Sequence, residues 1–200
     1  RQSYVGPAIR KYGNMLRATD CPNDAISNRK HTLDLRLTSG NTAVHSDMLM
    51  WNKDDTPESA MLQFTSILYS VPQVSLRLDT ISDVHRKALK FYLSFWRENA
   101  DILMNGKLHV YDTAHDYSGA CAVLDKKAIY TCYVQTVIDG ADYDELTIVK
   151  ASKGNSVYVK NCKGKSYKAV NCFGETISEG IIDSTIAEIE LPLSGILYIK

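Results

Sequence analysis

Met15-Leu16-Arg17-Ala18-Thr19-Asp20-Cys21-Pro22-Asn23-Asp24 decides how the first half of this chain is read. Residues 15–18 form a short candidate strand that ends at Thr19-Asp20, and Pro22 suits the first position of a helix. That helix is expected to run to about Leu37, although Leu33, Leu35 and Leu37 alternate with Asp34 and Arg36 as a strand would. Gly40-Asn41 marks a turn, and residues 42–49 read as a second strand. Thr56-Pro57-Glu58 starts a helix, with a capping hydroxyl, a proline at the first position and an acid at the positive end of the dipole. Val71-Pro72 breaks that pattern, and Val74, Leu76 and Leu78 predict a third strand. Ser82-Asp83 then opens an amphipathic helix with Val84, Ala88, Phe91, Tyr92, Phe95 and Trp96 on one broad face. Strands alternating with helices predict βα units on a parallel sheet.

The pattern changes near Asn105-Gly106. Beyond it, strand candidates follow one another closely, at 108–111, 120–124, 128–134, 146–150, 157–160, 167–173, 186–191 and 196–199. Turn signals such as Asp125-Lys126, Asp139-Gly140, Lys163-Gly164 and Ser194-Gly195 separate them, which predicts an antiparallel sandwich. The expected division is therefore an α/β portion over residues 1–104 and an all-β domain over residues 105–200. Three βα units cannot close a barrel of about eight strands. If they are barrel strands, they would expose apolar surface where their neighbours belong, so the chain is expected to be part of a longer polypeptide.

Composition narrows the function. Lys+Arg and Asp+Glu both number 23, so the formal charge is zero, which argues against a nucleic-acid partner. No apolar run approaches the roughly 18–20 residues that span a bilayer, so no membrane role is expected. Five cysteines (Cys21, Cys121, Cys132, Cys162 and Cys172) form no C-x-x-C pair, and the five histidines form no H-x-x-x-H pair, so neither a metal site nor a cofactor is expected. The odd cysteine count in a chain of 200 residues leans toward a reducing, cytoplasmic setting.

Two polar clusters carry the chemistry. In the first, Asp20 falls at the carboxyl end of a strand, where barrel enzymes place reacting groups, with Arg17, Asp24 and Arg29 near it. The plainer reading is a helix cap supplied by Asp20 or Asn23. In the second, His45 and Asp47 lie two apart in a strand and share a face, Ser46 points the other way, and Trp51 follows as a platform for a sugar ring. Here the plainer reading is a buried His–Asp pair with Trp51 in the core. A serine-nucleophile triad is disfavoured, since Ser46 lies on the wrong face and the chain has no G-x-S-x-G elbow.

The runs Arg17-Ala-Thr-Asp20-Cys-Pro-Asn-Asp24 to Arg29, Asn41-Thr-Ala-Val-His45-Ser-Asp-Met-Leu-Met-Trp51 and Tyr69-Ser-Val-Pro-Gln-Val-Ser75 resemble the later barrel portion of glycoside hydrolase family 36, the α-galactosidases of the melibiase clan. The helix around Lys90-Phe-Tyr-Leu-Ser-Phe-Trp96, followed by Asn105-Gly106-Lys107, is similar to that family's last barrel helix leading into its C-terminal β-domain. The resemblance covers roughly residues 1–110. It implies the last part of a (β/α)8 TIM barrel followed by an antiparallel β-sandwich, and a retaining hydrolase that removes terminal α-linked galactose from oligosaccharides. Asp20 matches the general acid/base. Arg17, Asp24, Arg29, His45, Asp47 and Trp51 would bind substrate, and the nucleophilic Asp would lie on a strand ahead of Arg1. The partners implied are an α-galactoside, the preceding part of the same polypeptide and a second copy of the chain. Without the nucleophile the isolated chain is expected to be inactive. Two alternatives stay open: a non-catalytic carbohydrate-binding or structural module, with tyrosines such as Tyr111, Tyr117, Tyr130, Tyr133 and Tyr143 as candidates, and a related glycosidase acting on another α-linked sugar.

Overall fold

A short helix, α1 (Pro7–Arg10), precedes strand β1 (Met15–Arg17), which leads to helix α2 (Ala25–Ser39) and strand β2 (Ala43–Leu49). These elements come from a computed structural model that describes residues 5–18, 20, 24–40 and 42–200. Thr19, Asn41 and the Cys21-Pro22-Asn23 segment lie outside the described residues, and with them the expected helix start at Pro22. Helix α3 (Pro57–Ser66), strand β3 (Val71–Val74), helix α4 (Asp83–Glu98) and helix α5 (Ala100–Asn105) complete the first half.

Local chemistry sets these boundaries. Thr56 and Ser82 accept from the N–H groups of Ser59 and His85, satisfying donors that the first turns of α3 and α4 leave open. β1, β2 and β3 form a parallel sheet in that order, with β2 central. The third strand is displaced from its expected place at Val74, Leu76 and Leu78: it occupies Val71–Val74 and contains Pro72. Proline is tolerated because Pro72 faces the register shift between His45 and Met48 of β2, where the ladder is interrupted and a missing N–H costs little.

The second half holds ten strands: β4 (Lys107–Tyr111), β5 (Gly119–Leu124), β6 (Lys127–Cys132), β7 (Val137–Asp139), β8 (Glu145–Lys150), β9 (Ser156–Lys160), β10 (Ser166–Val170), β11 (Thr176–Ile181), β12 (Ile186–Glu190) and β13 (Ile196–Ile199). One sheet has seven strands in the order β11-β10-β13-β8-β6-β5-β4, and the other has three, β12-β9-β7. The expectation of an antiparallel sandwich needs a correction, because β6 pairs with β8 and β7 with β9 in parallel. The chain leaves the large sheet after β6 to form β7 in the small one, then returns as β8, and such a crossover brings it back in the same direction.

The seven-stranded sheet is covered on both faces. On one side Val157, Val159, Ala187 and Ile189 of the small sheet share a core with Cys121, Ile148 and Leu197. On the other, Phe64, Tyr69, Tyr92 and Leu103 from the first half share a core with Ala120, Ile129, Val149 and Ile196. The Tyr69 hydroxyl lies 2.7 Å from the Ala120 carbonyl oxygen and 3.0 Å from that of Ile129, and accepts from the Thr131 N–H at 3.0 Å. Tyr92 donates to the Ser194 carbonyl at 2.7 Å. A third, smaller cluster of Leu16, Leu35 and Val44 fixes α2 against β1 and β2. No helix among the described residues is long and apolar enough to cross a membrane.

Candidate functional site at the carboxyl ends of β1 and β2

Parallel pairing sets Arg17 opposite His45, and the Ala18 N–H donates to the His45 carbonyl at 3.2 Å. The carboxyl ends of β1 and β2 therefore lie side by side, where open α/β sheets and barrels place their reactive groups. From β1, the Arg17 guanidinium reaches two carboxylates. Its Nη2 donates to Asp47 Oδ1 at 2.6 Å, and its Nη1 lies 3.8 Å from Asp20 Oδ1.

The two acids stand in different surroundings. Asp47 has no exposed side-chain surface, whereas the Asp20 side chain is 29% exposed. A buried carboxylate is costly unless a charge and hydrogen bonds compensate it, and Arg17 supplies that compensation. Asp47 thereby anchors the guanidinium, which extends toward the solvent-accessible Asp20 carboxylate.

A bulge in β2 shapes the approach. His45 pairs with Val71 but Met48 pairs with Gln73, so two residues of β2 face one of β3. The Ser46 hydroxyl fills the gap: it accepts from the Gln73 N–H at 2.9 Å and donates to the Asp47 carbonyl at 2.8 Å. Ser46 was read from strand alternation only as pointing away from the site; a bulge is invisible to that pattern. His45 Nδ1 lies 2.9 Å from the Ser46 carbonyl oxygen, which can only accept, so an N–H at Nδ1 donates there.

The remaining sequence candidates are engaged elsewhere. Asp24 caps α2, accepting from Ile26 N–H at 3.1 Å, Ser27 N–H at 3.0 Å and the Ser27 hydroxyl at 2.7 Å. Hydrogen bonds from Ser27 hold its carboxyl below the ordinary carboxylate range. The cap of α2 is thus Asp24, because its carboxylate meets two open N–H groups at once, while Asn23 lies outside the described residues. Arg29 lies over the Tyr133 ring at 4.3 Å, and burial depresses its guanidinium pKa. Trp51 is only 6% exposed and meets His85 edge-on at 5.8 Å, so it packs in the core and offers no open ring face. Arg17, Asp20 and Asp47 come together with His45 beside them; Asp24, Arg29 and Trp51 do not join them.

No group of three or more His, Cys, Asp or Glu among the described residues could hold a metal ion. Burial pushes the Cys121 and Cys172 thiols up to about 12, so neither is a ready nucleophile.

No family model matches the chain, and no curated protein matches it. Among solved structures, the chain is similar to the GH36 α-galactosidase AgaA of Geobacillus stearothermophilus in complex with raffinose. The TM-score is 0.42 and the identity 9%, over 88% of this chain and 24% of that one. The chain thus spans about a quarter of that protein's length. A likeness at this level assigns no family.

Proposed function

We propose that this chain is the later catalytic-barrel portion and closing β-domain of a retaining glycoside hydrolase acting on α-linked galactose. Asp20 serves as general acid/base in this reading, and β1, β2 and β3 are three of the barrel's strands. The observation that carries the reading is the Arg17 guanidinium spanning exposed Asp20 and buried Asp47 at the carboxyl ends of adjacent parallel strands. The motif resemblance over residues 17–51 supports it independently.

Retaining hydrolysis needs two carboxylates about 5 Å apart, one to attack the anomeric carbon and one to protonate the leaving oxygen and later activate water. Asp20 takes the second task in this reading. It is accessible, and Arg17, held from behind by Asp47, limits where its carboxylate sits. The first carboxylate comes from a strand ahead of Arg1 in this reading, and its charge would favour the protonated form of Asp20 before bond cleavage. His45 and Arg17 offer hydrogen-bonding groups to sugar hydroxyls. Asp24 and Arg29 act indirectly: one sets the start of α2 and the other ties α2 to the β-domain.

The test uses a polypeptide extended upstream to include the preceding strands. Initial rates on a panel of nitrophenyl α-glycosides are compared with those of Asp20→Asn. Loss of turnover on substrates with poor leaving groups, with activated ones partly spared, supports the acid/base role. Near-wild-type rates throughout would overturn it.

A further inference from the structure

β7 is the last strand of the three-stranded sheet, and its residues Val137, Ile138 and Asp139 stand beside Tyr111 of β4 and Tyr130 of β6. A cleft of about 370 Å³ opens there, within the usual range for small-ligand sites. Tyr111 of β4 and Tyr130 of β6 form its floor. Their ring centroids are 5.5 Å apart with planes tilted by 36°, which makes one continuous aromatic ledge.

The ledge depends on the strand between them. Gly119 of β5 pairs with Tyr111, and a Cβ on Gly119 would fall 2.3 Å from the Tyr130 hydroxyl oxygen. The missing side chain lets Tyr130 lie across β5 to reach Tyr111. Tyr130 is only 9% exposed, yet its hydroxyl has no hydrogen-bond partner among the described residues and opens onto the cleft. The ring is buried while the hydroxyl stays open to a ligand's hydrogen bond. Asp142, Thr136 and Ser118 stand around the ledge as further hydrogen-bonding groups. Ser118 is held in place by its carbonyl, which accepts from the Tyr133 and Val134 N–H groups.

We propose that this cleft is a binding site for a neutral pyranose sugar, separate from the cluster around Asp20. A pyranose has an apolar C–H face to lay on Tyr111 and Tyr130 and hydroxyls to meet the Tyr130 hydroxyl and Asp142. An anion fits less well: no Lys, Arg or His lines the cleft, and Asp139 and Asp142 would repel it. Tyr143 also lines the cleft beside these two aspartates, so a quaternary ammonium is the competing ligand and the experiment includes one. The inference does not rest on the glycosidase reading, since it uses none of the same residues.

The experiment is saturation-transfer NMR on the 200-residue chain, titrated with methyl α-D-galactopyranoside, methyl α-D-glucopyranoside and tetramethylammonium chloride. Transfer to at least one pyranoside is expected. Its affinity should fall by about tenfold or more in both Tyr111→Ala and Asp142→Asn, and should persist in Asp20→Asn. Both substituted side chains are exposed, and a thermal melt of each variant separates lost binding from lost fold; if Tyr111→Ala unfolds, Asp142→Asn decides. Absence of transfer to every pyranoside, unchanged affinity in folded variants, or transfer to tetramethylammonium alone would overturn the proposal.

Discussion

Arg17 on β1 donates to the fully buried carboxylate of Asp47 on β2 at 2.6 Å, and this contact joins the first two parallel strands through their side chains. Removing one member of a buried ion pair leaves a charge without compensation, at a cost of up to about 3–5 kcal/mol. The Arg17 side chain is 22% exposed, so solvent moderates that figure. Arg17→Met is expected to cost roughly 2 kcal/mol, and the double variant Arg17→Met/Asp47→Leu less than Arg17→Met alone. Urea unfolding of the set measures it; additive losses would show that the pair is not coupled.

Asp24→Ala should weaken the start of α2 by about 1 kcal/mol at neutral pH. The Asp24 carboxyl is held below its ordinary value of 3.8 by the Ser27 and Ile26 hydrogen bonds, so its contribution is present above that value. It fades as pH falls through the depressed folded value. The stability gap between wild type and variant should therefore close on acidification. A gap that stays constant across the titration would mean that the charged carboxylate is not what caps the helix.

Lys150 is fully buried at the end of β8, and its ammonium donates to the carbonyls of Ser152 and Gly154 at 2.6 Å each and of Lys153 at 3.3 Å. One side chain thus closes the turn between β8 and β9. Lys150→Met fills similar volume but strands these carbonyls, and a cost of about 3 kcal/mol is expected. Faster amide exchange confined to the 151–155 turn should accompany it.

Tyr69→Phe removes one oxygen from the junction between the helices and the large sheet. The Thr131 N–H loses an acceptor in the buried core, so a loss of about 1–2 kcal/mol is expected. Because Tyr69 shares one core with Ala120 and Ile129, unfolding should remain a single transition by circular dichroism and by tyrosine fluorescence. Two separated transitions would show that the halves melt independently.

Much of this fold was legible because its signals are local. Thr56-Pro57-Glu58 and Ser82-Asp83 mark helix starts by capping chemistry alone, and the strands at β4, β5, β6, β8, β9, β10, β12 and β13 follow from short apolar runs between turns. Two strands escaped notice. β7 is only three residues long, and β11 is an edge strand whose residues are mostly exposed, so neither shows a clear alternation. β3 was misplaced because Pro72 reads as a breaker unless the bulge opposite it is known.

The site was legible in part. Residue type and position at a strand end singled out Arg17, Asp20 and Asp47. What joins them is a register between strands far apart in sequence, together with a bulge at Ser46, and neither leaves a local mark. Trp51 was taken for a platform because aromatic identity says nothing of burial. Arg29 and Asp24 were placed near Asp20 by distance along the chain, whereas the Tyr133 ring and the open turn of α2 claim them in space.

The helices α3, α4 and α5 serve as one wall of the large sheet, through Phe64, Tyr92 and Leu103. Covalent continuity at the Asn105-Gly106 junction is then not what keeps the two segments together. A single peptide-bond cut there should yield two pieces that stay associated. Expressed as separate chains, they would be candidates for reassembly as a split protein, whereas the β-segment alone would present an uncovered sheet face prone to self-association.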